Sequence, residues 1–265
     1  MAGGHVGVLI QPSEFIVIIG AAIGVFITSS PGKMKARVKN VFKTIMSDTT
    51  PRKSDYLELL KCQYELFMLA RRQGVLALES HANEPGKSDI FKKYPGITRS
   101  HHARTFLAEA LGQLVNGITP DDLEALMDAE IETLKEEGHS ASGLVTKIGD
   151  ALPGIGIVAA VLGIIVTMGH MDGAPAEIGH HVAAALVGTF LGILLCYGVL
   201  APIATNCETQ EMHHLRFLAV IKASVVASAR GVAPPTAVEF GRKVIYSDER
   251  PSFSDLDKAL QTVKG

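Results

Sequence analysis

Lysine and arginine are missing from two long parts of this chain. All 25 lie within residues 31–148 and 207–265, and none within 1–30 or 149–206. Acids are scarce there too, since after Asp150 no charged side chain occurs until Asp172. The same stretches hold the three longest apolar runs, near 15–30, 151–169 and 182–206. A helix needs about 20 apolar residues to cross the hydrocarbon core of a membrane. The second and third runs reach that length, and the first does so with help from residues 6–10. A soluble protein with buried helices fits poorly, because two adjacent helices apolar on every side are rare in such a protein.

Other absences close off whole classes of function. A net charge of -2 gives no case for nucleic acid, which calls for a basic domain. Three cysteines, Cys62, Cys196 and Cys207, form no disulfide framework and read as reduced thiols. There is no P-loop, nucleophile elbow or dinucleotide fingerprint, so neither an enzyme nor a cofactor is expected. Three histidine pairs occur: His101/His102, His180/His181 and His213/His214. Adjacent histidines point apart on a helix and lack the i, i+4 placement of a metal motif. No metal site is expected from them, and solvated or interfacial roles read better. No segment alternates as a strand, which leaves an all-α fold.

One absence constrains partners. No Asp, Glu, Lys or Arg lies in the middle of any apolar run; Glu14, Asp150, Asp172 and Glu177 fall at or beyond the expected helix ends. An ion path through these helices therefore needs a carboxylate from another chain.

Charge placement also orients the chain, since basic residues near membrane ends stay inside. Lys33, Lys35, Arg37 and Lys39 follow the first run, Lys147 precedes the second, and Arg216 and Lys222 follow the third. The connector HMDGAPAEIGHH, 170–181, has neither lysine nor arginine and reads as the outer loop. Four segments result: an outer segment and first span over 1–30, an inner helical domain over 31–148, a membrane hairpin over 149–206 and an inner helical tail over 207–265. Three spans leave Met1 outside without a secretory signal. Either the chain inserts that way or a further N-terminal span is missing.

In the inner part, apolar spacings of three and four predict a helix over 54–80, weakened or bent at Gly74. Its face comprises Tyr56, Leu59, Leu60, Tyr64, Phe67, Met68 and Leu76. A second helix is predicted over 100–116. A third opens at Thr119-Pro120 and stops at Gly138. Helix then continues from the third span to about Arg230, with short helices near 236–246 and 253–262.

The spans carry small residues in register. GAAIG (20–24) and GTFLG (188–192) satisfy GxxxG, and Gly156, Ala160 and Gly163 line one face of the second span. Such faces let helix backbones approach closely, which points to a packed oligomer, although glycine is common enough in membranes for chance to compete. Pro153 and Pro202 lie at one inner level. They read either as helix-end prolines or as two bends that shape one constriction.

ALVGTFLGILLCYGVLAP, 185–202, resembles the signature of the MotA family, the proton-channel subunits of the bacterial flagellar stator. Its matching residues are Ala185, Leu186, Gly188, Thr189, Gly192 and Pro202. The likeness continues through AGGHVGVLIQPSEF, GDALPGIGIVAAVLG and APPTAVEFGRKVIYSDERPSF, and so covers essentially the whole chain. The family begins with one further membrane helix, four in all, which would bring the N-terminus inside. The resemblance implies a multi-pass protein of the inner membrane, with the large loop and C-terminus cytoplasmic. It implies five such subunits around two MotB subunits, whose membrane aspartate takes the proton, and a push on the rotor protein FliG. It maps the rotor contact onto Arg71 and Glu79 in ARRQGVLALE, and the two coupling prolines onto Pro153 and Pro202. Sodium-driven relatives carry threonine where this chain has Ala160 and Thr189, so one hydroxyl ligand is absent and protons are the expected ion. Reckoned from Met168 and Val182, those two residues lie roughly 11–12 Å deep and would face each other. Thr189 also has a local alternative, a bond to a carbonyl of its own helix. The other reading is an energiser of the ExbB/TolQ kind.

Overall fold

The computed structural model describes residues 9–32, 50–169 and 175–264. The AGGHVGV start, the Lys33, Lys35, Arg37 and Lys39 cluster and residues 170–174 of the connector lie outside them. Every regular element among the described residues is a helix. The chain divides into two compact units, one of residues 1–48 and 137–209, the other of 49–136 and 210–265.

In the first unit, α1 (Pro12–Ser29) opens with proline at its start, where a missing N–H costs nothing. The apolar end of a long helix, α7 (Pro120–Met168), and the whole of α8 (Pro175–Leu195) complete it, leading into the first turns of α9 (Ala201–Ala229). α1, α7 and the helix from α8 into α9 are each long and apolar enough to cross a membrane. Their outward faces carry Ile16, Val158, Ile165 and Leu186, each 60% exposed or more. In water such a surface would be unfavourable, and lipid or a neighbouring subunit suits it.

Two small cores show where α1 sits in this unit. Ile18 packs with Leu152, Leu191 and Cys196, and Phe26 packs beside Leu144, Val145 and Ala204. α1 therefore lies along the inner half of α8 and onto α9, and its first turn falls beside the middle of α8.

The second unit is built on α2 (Lys53–Gln73), whose Tyr56, Leu59, Leu60, Tyr64 and Phe67 are buried. Gly74, at φ 88°, ends α2 where a bend was expected. Leu76 therefore leaves the predicted face and stands 73% exposed on a 3-10 turn, Val75–Leu78. Three short helices follow, α3 (Glu79–Asn83), α4 (Asp89–Lys92) and α5 (Pro95–Thr98), and then α6 (His101–Val115), capped by Ser100. α6 adds Phe106, Leu107 and Leu111 to one core with Phe217, Val220 and Ile221 of α9. Buried Gln63 donates to the Ile221 carbonyl at 3.1 Å, which satisfies one amide hydrogen inside that core.

α7 begins as its sequence demands, with the Asp122 N–H donating to the Thr119 hydroxyl at 3.2 Å. It does not stop at Gly138, because helix continues through to Met168. A lone glycine costs only about 1 kcal/mol in a helix interior, less than strong formers on both sides supply. α9 ends at Ala229, followed by Gly231 at φ 81°. Two helices close the chain, α10 (Pro234–Val244) and α11 (Phe253–Lys264). Arg242 of α10, almost buried, grips Glu239 at 2.6 and 2.7 Å and donates to the Pro251 carbonyl at 2.9 Å.

Candidate functional site

α7 and α8 meet along a seam that only the smallest residues permit. A methyl group on Gly156 would stand 2.8 Å from the Gly188 carbonyl oxygen and 3.3 Å from the Thr189 Cα. On Gly192 it would stand 2.5 Å from the Leu152 carbonyl oxygen, and on Gly163 2.8 Å from the Ala185 Cβ. Gly156, Gly163, Gly188 and Gly192 thus come together within one chain. The packing face read as a sign of oligomer contacts is used for this intrachain seam. In contrast, a methyl group on Gly20 or Gly24 of α1 would meet nothing within 4 Å.

Thr189 sits on this seam. Its hydroxyl donates to the Gly156 carbonyl of the neighbouring helix at 3.4 Å, so it does not bond back within α8. That contact is long and weak. Ala160, 8% exposed, lies one turn outward from Gly156 on α7. α8 starts at Pro175, earlier than the run at Val182 implied, so Thr189 lies roughly 21 Å along it.

Glu14 of α1 lies beside this seam. It occupies the first turn of α1, which the sequence places at a span's edge, but that turn lies against mid-α8. A methyl group on Gly188 would come within 2.6 Å of Glu14 Oε2 and 3.5 Å of the Ala159 Cβ. Oε2 is closed off from solvent and has no hydrogen-bond partner. Glu14 is at the end of its helix, as expected, and the contact with α8 arises because the first run is shorter than the third and packs along part of it.

The prolines occupy different settings. Pro153 is inside α7, far from either end, which removes the helix-start reading. Pro202 follows a π turn, Cys196–Leu200, in which the Ala201 N–H reaches back to the Cys196 carbonyl. The wider turn makes room ahead of a residue that has no N–H to offer. Leu200 of this turn packs on α7, 3.3 Å from where a methyl group on Gly149 would stand.

In the other unit, Arg71 ends α2 and Glu79 begins α3, both exposed. Val75 and Leu76 between them are 44% and 73% exposed, giving a surface of two charges around an apolar tip. Neither charge is in an ion pair among the described residues. Elsewhere in this unit two of the histidine pairs come close enough for His102 to act on His214, which the sequence did not reveal. Burial lowers the His214 pKa, and His102 and His213 lower it further. Burial raises the Glu211 pKa, with His102 opposing. No cluster among the described residues could hold a metal ion.

Fold and seam define a multi-pass, all-helical membrane protein whose hairpin closes through glycine around a threonine. Residues 1–74 match the family described as Motility protein A N-terminal, and residues 98–216 match the MotA/TolQ/ExbB proton channel family. Motility protein A of Salmonella typhimurium is 38% identical over all of this chain and 90% of its own length. Chemotaxis protein LafT of Vibrio parahaemolyticus is 36% identical over all of this chain and 93% of its own. The flagellar MotAB stator complex of Bacillus subtilis superposes with a TM-score of 0.73 at 26% identity, covering 90% of this chain and 85% of that one. The MotAB structure of C. jejuni, at 23% identity, shares the fold with a TM-score of 0.77 over 95% of this chain and 91% of its own. This chain belongs to the MotA/TolQ/ExbB proton channel family, among its Motility protein A members.

Proposed function

We propose that this chain is a stator subunit of the bacterial flagellar motor that turns proton flow into torque on the rotor. The glycine seam at Thr189, flanked by Pro153 and the π turn before Pro202, is the observation that carries this reading. A proton path needs a group that exchanges protons and a helix pair that responds to it. A MotB-type partner supplies the cycling aspartate, and five copies of this chain surround two of that partner. The inner membrane holds the assembly, with the domain around Arg71 and Glu79 and the C-terminal tail in the cytoplasm. Arg71 and Glu79 meet charges on FliG. Their exposed setting, with apolar Val75 and Leu76 between them, favours this over an energiser of the ExbB/TolQ kind. Protons are the ion, because Ala160 offers a methyl group where a dehydrated sodium ion needs oxygen.

The test is flux in liposomes. This chain alone conducts no protons, the complex with its partner does, and replacing the partner's membrane aspartate with asparagine abolishes flux. Flux through the complex is independent of sodium at fixed pH. Flux that rises with sodium and survives a protonophore overturns the ion assignment. Equal flux with and without the partner overturns the whole reading. Particle imaging of the purified complex gives the subunit count.

A further inference from the structure

His213 and His214 are neighbours on α9, and neither has a part in the reading above. His214 is acted on by His102 of α6. His213 instead meets the turn that joins α10 to α11. Its Nδ1 lies 3.2 Å from Glu249 Oε1, and each side chain is only 20% exposed. Its ring meets that of Tyr246 edge-on, with centroids 5.6 Å apart. Arg216, one turn further along α9, lies over the same tyrosine, 4.2 Å from the ring centre, and donates to the Val244 carbonyl at 3.4 Å. Ile245 anchors the start of the turn in the core, and Arg242 holds its end at the Pro251 carbonyl. Between these anchors, His213 and Arg216 hold the turn on α9.

The His213–Glu249 pair differs from a solvated surface contact. Glu249 Oε2 is closed off from solvent and has no hydrogen-bond partner. Tyr56 of α2, fully buried, stands close enough for Glu249 to act on it. Burial pushes the Tyr56 pKa up, Glu249 raises it further and Arg216 opposes. That hydroxyl therefore stays neutral and cannot replace a lost positive charge. A carboxylate with so little access to water depends on a cation beside it. Arginine keeps its charge at every relevant pH, whereas histidine changes charge between about pH 5 and 8. The groups around His213 are Glu249 and Tyr246 from the tail, Tyr56 from α2, and Arg216 and His214 from α9 itself.

We propose that His213 and Glu249 form a pH-sensitive latch that clasps the 246–250 turn onto α9. With the imidazole protonated the two side chains are an ion pair, and the turn is held. As pH rises across the range in which histidine discharges, one imidazole N–H bond breaks and its proton goes to solvent. The attraction is lost and the turn loosens. α9 is the helix that carries Pro202, so the latch acts on the continuation of the hairpin's second span. On the stator reading this turn is cytoplasmic, and the pH it senses is the internal one; only that last step rests on the stator reading.

The experiment uses the full chain purified with its partner subunit. Amide protection of residues 246–250 is measured relative to the intrinsic exchange rate at each pH. The Glu249 N–H, which donates to the Tyr246 carbonyl at 3.1 Å, is the reporter. Protection is expected to fall on the order of tenfold from pH 6 to pH 8, the worth of a hydrogen bond to a charged group. His213→Gln and Glu249→Gln each remove this pH dependence and leave the turn weakly protected throughout. The double variant is no weaker than either single one. His214→Gln keeps the wild-type response. Equal protection at pH 6 and pH 8 in the wild type overturns the latch, as does a response that survives His213→Gln. Should His213→Gln fail to assemble, Glu249→Gln decides, and a wild-type response in that variant refutes the latch. Absence of proton flux in the wild-type complex overturns the stator reading and leaves the latch standing.

Discussion

Single side chains carry much of what distinguishes this chain from a bundle of apolar helices. Arg242 shows how one residue organises the tail, since its guanidinium joins Glu239 on its own helix to the Pro251 carbonyl beyond it. Its hydrogen bonds hold the Glu239 carboxyl below its ordinary value of 4.5. A depressed carboxylate adds stability above its unfolded pKa and loses that contribution as pH falls through the folded value. The tail should therefore loosen below about pH 4.5. Amide exchange in residues 234–264, followed from pH 6 to 3 in the detergent-solubilised protein, should accelerate across that window. Glu239→Gln should weaken the tail by about 2 kcal/mol at neutral pH and flatten the acid response. A tail equally protected at pH 3 and pH 6 would contradict this. None of it was readable from EFGRK alone, because the partner carbonyl lies across a turn that periodicity does not encode.

At the scale of helices, the two prolines differ more than their equal depth implied. Pro153 interrupts a helix that continues in both directions, whereas Pro202 follows a turn already widened. Replacing either with leucine keeps its span apolar and should leave insertion near normal. Pro153→Leu should straighten α7 and abolish rotation. Pro202→Leu should be milder, because the π turn persists ahead of it. Swimming speed together with membrane-fraction yield separates the cases, and loss of protein from the membrane in either variant would assign that proline a structural role only. Much of the helical layout was legible: the Thr119 cap and the α6 span follow from local chemistry, while α10 begins at Pro234, two residues earlier than expected. The continuation of α7 through Gly138 was not, because a mild local penalty was outweighed by the residues around it. The contact of Glu14 with Gly188 stayed hidden for a different reason. Hydropathy gives a run's length but not its depth against a neighbour, and depth decides whether a terminal acid meets water or lipid.

For the molecule as a whole, a stator has to meet a rotor through its surface. Arg71 and Glu79 stand exposed around Leu76, and solvated charges of this kind contribute little to stability, about 0–1 kcal/mol. Reversing either should leave expression, membrane yield and partner binding intact while impairing swimming. A matching reversal on the rotor protein should restore it. Normal swimming in the double reversal, with the rotor unaltered, would remove these residues from the contact.

The π turn at Cys196–Leu200 has a further consequence, and it is a genetic one. Such a turn is an α-helix with one residue too many, absorbed locally so that the helix on either side keeps its facing. In the gene it amounts to a single codon. Removing that codon would leave the seam residues on α8 and the core residues on α9 each on their own side. Only the slack ahead of Pro202 would go, so a one-codon deletion offers a way to take flexibility from this hairpin without touching any residue that lines its seam.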